Sequence, residues 1–194
     1  MSTYSTQRGY SLLELIVSLG IFSVVMLVVT GAYLTLISLD RQARANNQLA
    51  ATLSFATESM ARSMRTGSEY ACNGNTGSPN CSNGGSSITF CLEGEKCRQG
   101  GGSQYLVTYF LKSDGSIGQC TGSLCTSETA ASLTDPRITV DALRFYVRGV
   151  GTTGSEASTQ PQVIFVVSGT MKTDSGEETS FSIQTAATQR LIEI

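Results

Sequence analysis

Glu14 stands at the head of a stretch in which no residue from Leu15 to Leu39 carries a charge. A carboxylate beside hydrocarbon costs on the order of a few kcal/mol, so an acid here marks function. The chemistry open to it is ion pairing, because a charge that is expensive alone in low dielectric becomes tolerable once a cation faces it. Arg8, Gly9 and Tyr10 lie immediately upstream. The uncharged run is about 25 residues long and exceeds the roughly 20 needed to cross a bilayer. A secretory signal would have a shorter apolar core and a small-residue cleavage site after it, whereas Asp40, Arg41 and Gln42 follow here. A generic single-pass anchor would account for the run but not for Glu14 or Gly9.

The second set of reactive side chains is six cysteines, Cys72, Cys81, Cys91, Cys97, Cys120 and Cys125, all beyond the apolar run. Six thiols allow 15 pairings, and connectivity is not readable from spacing alone. The simplest guess is local pairing, Cys72 with Cys81, Cys91 with Cys97 and Cys120 with Cys125. Zinc is disfavoured because the chain has no histidine and no Cys-x-x-Cys spacing. Redox-active thiols are disfavoured for want of the same spacing. Disulfides imply an oxidising, extracytoplasmic setting for this part of the chain.

These groups need elements to hold them. From Asp40 to Arg65 there is neither Pro nor Gly, and Leu49, Leu53, Ala56, Met60 and Met64 recur as one stripe of helical period. Gly67 is the expected C-terminal cap. One helix from about Ser11 to Thr66 would be roughly 84 Å long, more than a domain of this size can bury, so its first half must sit in lipid or in a polymer. Gly20 and Gly31 lie in that half, where they suit either close helix packing or local melting during assembly.

Beyond the helix, Asn73–Asn80 and Asn83–Gly85 read as loop. Strands are expected at Ser87–Leu92, Tyr105–Leu111, Ser116–Gln119, Asp141–Arg148, Val163–Met171 and Thr179–Thr185. Asp114-Gly115 is a hairpin turn signal and Gly149–Gln160 a loop. The expected class is α+β, with the helical stripe covering one antiparallel sheet of about five or six strands.

The Arg8-Gly9-Tyr10-Ser11-Leu12-Leu13-Glu14-Leu15 segment resembles the prepilin-type signal of type IV pilins and type II secretion pseudopilins. In that family a short polar leader ends in Gly, a membrane peptidase cuts after it, and the mature chain carries Glu at its fifth position. The resemblance implies cleavage between Gly9 and Tyr10, methylation of the Tyr10 amine, and Glu14 as the fifth mature residue. Tyr10 replaces the usual Phe. It implies a pilin-like fold divided into a leader (1–9), a transmembrane and assembly half of the helix (10–39), an amphipathic half (40–67) and a disulfide-bearing β head (68–194). The strand order, ending in a long hairpin and Gln189-Arg190, is loosely similar to PilW-type minor pilins and J-type (GspJ) minor pseudopilins.

In such a filament the Glu14 carboxylate of one subunit faces the Tyr10 amine of a neighbour and sets axial register; the alternative is that Glu14 snorkels to the headgroups. The implied partners are the prepilin peptidase, other major and minor pilins or pseudopilins, the inner-membrane assembly platform and, before assembly, membrane lipid. The implied location is the bacterial inner membrane, single-pass with the head outside the cytoplasm, then the filament. No cofactor, metal site or catalytic residue is expected. Without histidine no Ser–His or Cys–His pair exists, and without a Walker loop the assembly motor must be another protein. The acidic cluster Asp174, Glu177, Glu178 lacks the ligand spacing of an EF-hand and reads as a solvated turn. A net charge of −2 gives no basic footprint for nucleic acid. The leading expectation is a minor filament subunit; a major pilin, or an adhesin or DNA-uptake tip, are the alternatives.

Overall fold

The computed structural model describes residues 9–73, 80–92, 97, 103–123, 125–150, 160–173, 176 and 178–190. Helix α1 runs from Leu12 to Thr66. Eight strands follow: β1 (Ser68–Cys72), β2 (Ser87–Cys91), β3 (Leu106–Leu111), β4 (Ile117–Thr121), β5 (Ala131–Ser132), β6 (Ile138–Arg148), β7 (Gln162–Lys172) and β8 (Glu178–Thr188). The chain divides into two compact units, Met1–Arg44 and Ala45–Ile194.

In the first unit the helix carries its large apolar side chains from Leu12 to Leu39 exposed, apart from the half-buried Ile37. By length and composition it is able to cross a membrane. Its five serine and threonine hydroxyls from Ser18 to Ser38 are spent internally. Ser18 donates to Leu15 O, Ser23 to Leu19 O, Thr30 to Met26 O, Thr35 to Gly31 O and Ser38 to Thr35 O, at 2.7–3.1 Å. Bonding back to the preceding turn satisfies each donor without water, which is how a helix admits such residues into an apolar medium. The helix passes through Gly20 and Gly31 without interruption, and nothing lies within 4 Å of either α-carbon's open side.

The second unit is an α+β domain. The stripe Leu49, Leu53, Ala56, Met60 and Met64 is fully buried, as its period predicts, and forms one core with inward residues of both sheets. Those sheets replace the single sheet expected from sequence. One has the order β1-β2-β3-β4-β5, the other β6-β7-β8, and every pair is antiparallel. They are joined at one edge. Gly85 and Phe145 exchange backbone hydrogen bonds of 2.7 and 2.9 Å, and Cys81 N donates to Val147 O at 3.0 Å. In the first sheet Tyr70, Phe90 and Tyr109 line up across three strands, with ring centroids 5.8 and 5.9 Å apart. Phe145 and Phe165 do the same across β6 and β7 at 6.2 Å.

The Asp114-Gly115 turn forms as expected. Gly115 sits at φ 78°, a conformation that glycine adopts without a Cβ penalty. Asp114 Oδ1 accepts from Ser116 N at 2.9 Å and Ser116 Oγ at 2.6 Å, and Lys112 Nζ lies 3.3 Å from Oδ2. The two Ser116 bonds, then Lys112, pull the Asp114 pKa down to about 2.

Gly67 is not a left-handed cap. The left-handed residues after the helix are Glu69 (φ 52°) and Asn73 (φ 57°). Gly67 is small because the Phe90 ring lies on it: a Cβ there would stand 3.0 Å from Phe90 Cε2, closer still to Cδ2, and 3.3 Å from Cys91 O. The last helical carbonyls are closed by tertiary donors instead. Tyr70, buried in β1, sets its hydroxyl against Met64 O and, at 2.9 Å, against Gly67 O; Arg190 N donates to Arg65 O at 2.8 Å. Orphan carbonyls at a buried helix end require such partners. Burial raises the Tyr70 pKa, since nothing nearby would stabilise a phenolate.

Candidate functional site

Gly9 and Tyr10 precede the helix as non-helical backbone, and both are exposed. Nothing lies within 4 Å of the position a Cβ on Gly9 would occupy. Arg8 and the rest of 1–8 lie outside the described residues. The helix begins because Ser11 caps it: Ser11 Oγ accepts from Glu14 N at 3.4 Å, and Ser11 O accepts from Leu15 N at 3.2 Å. Glu14 therefore occupies the third helical position, inside the turn where unpaired N–H groups give the helix end its partial positive charge. Its side chain is exposed.

This geometry accounts for an acid in an apolar helix. An acidic side chain in the first turn complements the partial positive charge of the helix end, and its exposure leaves it open to a cation from outside the chain. The Ser-x-x-Glu spacing of Ser11 and Glu14 is a capping-box signature that sequence reading passed over, although the signal is local and legible. Gly9, Tyr10 and Glu14 thus fall within one short segment at the start of α1, and Ser11 fixes where that helix starts.

The six cysteines lie in three close pairs in the second unit: Cys72 with Cys81 (Cα–Cα 6.2 Å), Cys91 with Cys97 (5.8 Å) and Cys120 with Cys125 (5.8 Å). These separations are those of disulfides. Each pair fastens a connection to a strand of the first sheet. Of the acidic cluster near the last hairpin, Asp174 and Glu177 lie outside the described residues, while Glu178 pairs with Lys172 at 2.8 Å. Among the described residues no group of three or more His, Cys, Asp or Glu is placed to hold a metal ion.

The described residues of the second unit line concavities. One, of about 270 Å³, is lined by Glu58, Arg62, Arg65, Thr66 and Arg190, where the end of β8 meets the last turn of the helix. Arg65 Nη1 is 3.7 Å from Glu58 Oε1. Basic groups at a helix C-terminus complement its partial negative charge, which is sufficient reason for this cluster. Another, of about 720 Å³, lies on the outer face of the first sheet.

The family model for the prokaryotic N-terminal methylation motif matches residues 4–30, the segment that holds Gly9, Tyr10, Ser11 and Glu14. No curated protein and no solved structure matches the chain. The motif supports a type IV pilin-like or pseudopilin subunit, a structural class rather than an enzymatic one, and implies processing by a prepilin peptidase and assembly with other pilins. The exposed apolar helix at the same segment is consistent with anchoring in the inner membrane and with a filament.

Proposed function

We propose that this chain is a minor pilin or minor pseudopilin, cut between Gly9 and Tyr10, methylated on the Tyr10 amine and built into a filament through the first half of α1. The observation that carries the reading is the coincidence of the methylation-motif match with an exposed carboxylate in the first turn of an exposed apolar helix. The layout of domains follows from it: leader 1–9, assembly helix 10–39, amphipathic helix 40–67 and a β head 68–194 held by three disulfides.

Leaving lipid for a bundle of like helices gains little hydrophobic energy, because acyl chains are as apolar as leucine. Specificity must come from packing and from the few polar groups. Among the polar side chains of the first half of the helix, the serine and threonine hydroxyls from Ser18 to Ser38 are already bonded within their own helix, so they offer little to a neighbour. Glu14 is the charged group of this half able to choose a partner, and the free amine that cleavage creates on a neighbouring Tyr10 is a cation of matching depth. Pairing the two fixes axial register and removes the cost of a lone charge.

The Glu14→Ala variant tests this. It is expected to be trimmed and methylated at wild-type levels, yet to be depleted in sheared filaments relative to the membrane fraction, by tenfold or more. Equal abundance of variant and wild type in filaments would refute the pairing.

A further inference from the structure

A sheet edge presents unpaired backbone groups, and proteins blunt their edges with short strands, bulges, charges or cover. Among the described residues, three of the four sheet edges are blunted in this way. β1 has five residues, a register shift between Ser68 and Ala71, and Glu69 within it. β5 has two residues. The edge of β6 is occupied: Phe145 bonds to Gly85, Val147 O accepts from Cys81 N, and Val140 N donates to Gly115 O at 2.8 Å. β8 differs from all three. Its eleven residues pair with β7 in unbroken register, Thr179 to Thr188 holds neither a charge nor a proline, and only Ala187 is buried.

The register shows which backbone groups face the open side. Gln189 N donates to Pro161 O at 2.9 Å, which extends the β7–β8 ladder by one bonded pair. Bonded and unbonded pairs alternate in an antiparallel ladder. Thr179, Phe181, Ile183, Thr185 and Ala187 therefore spend their N–H and C=O groups on β7. Glu178, Ser180, Ser182, Gln184, Ala186 and Thr188 turn theirs away from it. The next N–H of that outward set is Arg190's, and it meets Arg65 O at 2.8 Å, so the end of the helix marks where the open edge stops.

The inner row of β8 is also unfinished. Phe181 and Ile183 pack against the core yet are half-buried, whereas Phe165 and Val167 on β7 are fully buried. The occupant that answers both features is an extended peptide segment: backbone groups to meet the outward set, no charge along its length, and an apolar side chain at every second residue to cover Phe181 and Ile183. A second copy does not fit. Pairing β8 with β8 is two-fold and closes on itself, so it cannot repeat along a filament. Head-to-tail repetition needs a second long free edge, which the described residues lack. We propose that β8 receives an added strand from a different filament subunit. One strand edge is too small to hold a free complex, so the helix bundle must first bring the two subunits side by side and raise their effective concentration. The inference thus rests on the filament reading.

Proline tests the edge by parity. At Ser182 or Gln184 it removes an outward N–H and no bond to β7, a position that edge strands tolerate. At Ile183 it removes a ladder bond. In the full chain in detergent, Ser182→Pro and Gln184→Pro are expected to keep the wild-type thermal midpoint to within about 3 °C, and Ile183→Pro to lose about 6 °C or more. In cells that assemble filaments, Ser182→Pro and Gln184→Pro are expected to be depleted in sheared filaments, relative to the membrane fraction, by about fivefold or more. Ser182→Ala and Gln184→Ala keep the N–H and are expected to enter filaments as wild type does. Absence of the wild-type chain from filaments would defeat the filament reading, and the added strand with it. A wild-type chain present in filaments, with both proline variants entering equally well, would overturn the added strand alone. So would midpoints for Ser182→Pro and Gln184→Pro as low as that of Ile183→Pro, because the outward amides would then be bonded within their own chain.

Discussion

Tyr70→Phe removes one oxygen from the joint between the helix and the first sheet and leaves the ring contact with Phe90, at 5.8 Å, in place. No cavity opens beyond the hydroxyl itself, so the cost is that of the carbonyls of Met64 and Gly67 losing their shared donor in a buried setting. An unpaired buried polar group costs about 1–3 kcal/mol. For a domain of the size of Ala45–Ile194 that corresponds to a fall in Tm of roughly 3–10 °C. Tyr109 provides the control. Its hydroxyl is equally buried but makes no hydrogen bond of normal geometry. Burial raises its pKa, with only Ser63 close enough to oppose the rise. Tyr109→Phe is therefore expected to be neutral or slightly stabilising, because it relieves an unsatisfied group. Both variants are read as thermal midpoints of the full chain in detergent, disulfides intact, by near-UV circular dichroism. The pH dependence follows from the same bond. Tyr70 has its folded pKa raised, so its contribution is present below the unfolded value of about 10 and is lost as pH rises beyond it, where the unfolded chain ionises and the folded one does not. Stability should therefore fall less steeply above pH ~10 in Tyr70→Phe than in wild type. Equal midpoints for the two phenylalanine variants would refute the assignment of Tyr70 as the clasp on the helix end.

Two further outcomes are expected. Gly67→Ala should destabilise the domain by about 1–3 kcal/mol, since the fully buried Phe90 ring has nowhere to move, and a denaturation midpoint checks it. Asp114→Asn should flatten the acid limb of the stability profile: the lowered pKa of Asp114 means that its contribution is present above about pH 4 and is lost as pH falls towards 2, which acid titration of wild type and variant compares directly.

The elements that could be read ahead of the structure are those whose signal is periodic or local. The stripe from Leu49 to Met64 repeats often enough to fix a helix face, and the Asp114-Gly115 turn is specified by its own two residues. β7 and β8 were legible for the same reason, as long runs of strand formers on either side of a turn. β1 was not, because Ser68–Cys72 holds one glutamate and no repeat, and it is a strand only through its pairing with β2. The division into two sheets was equally hidden. It depends on where the chain from Thr121 to Ile138 delivers β6, and on β6 meeting Gly85 by backbone hydrogen bonds that no side-chain pattern announces. Gly67 was read as a conformational glycine and is a packing one, a difference set by Phe90, 23 positions away in sequence (90 − 67). At the N-terminal site Gly9, Tyr10 and Glu14 were all visible in sequence, whereas Ser11 was passed over beside a more conspicuous neighbour. The outer-face cavity was invisible because it is assembled from cross-strand pairs whose register only the fold supplies.

The account rests on processing at Gly9. The direct measurement is intact-mass and N-terminal fragment spectrometry of the chain purified from membranes of cells that hold the processing peptidase. A mature chain beginning at Tyr10 with one added methyl group is the expected result. A chain that keeps Met1 through Arg8 would contradict the account at its root.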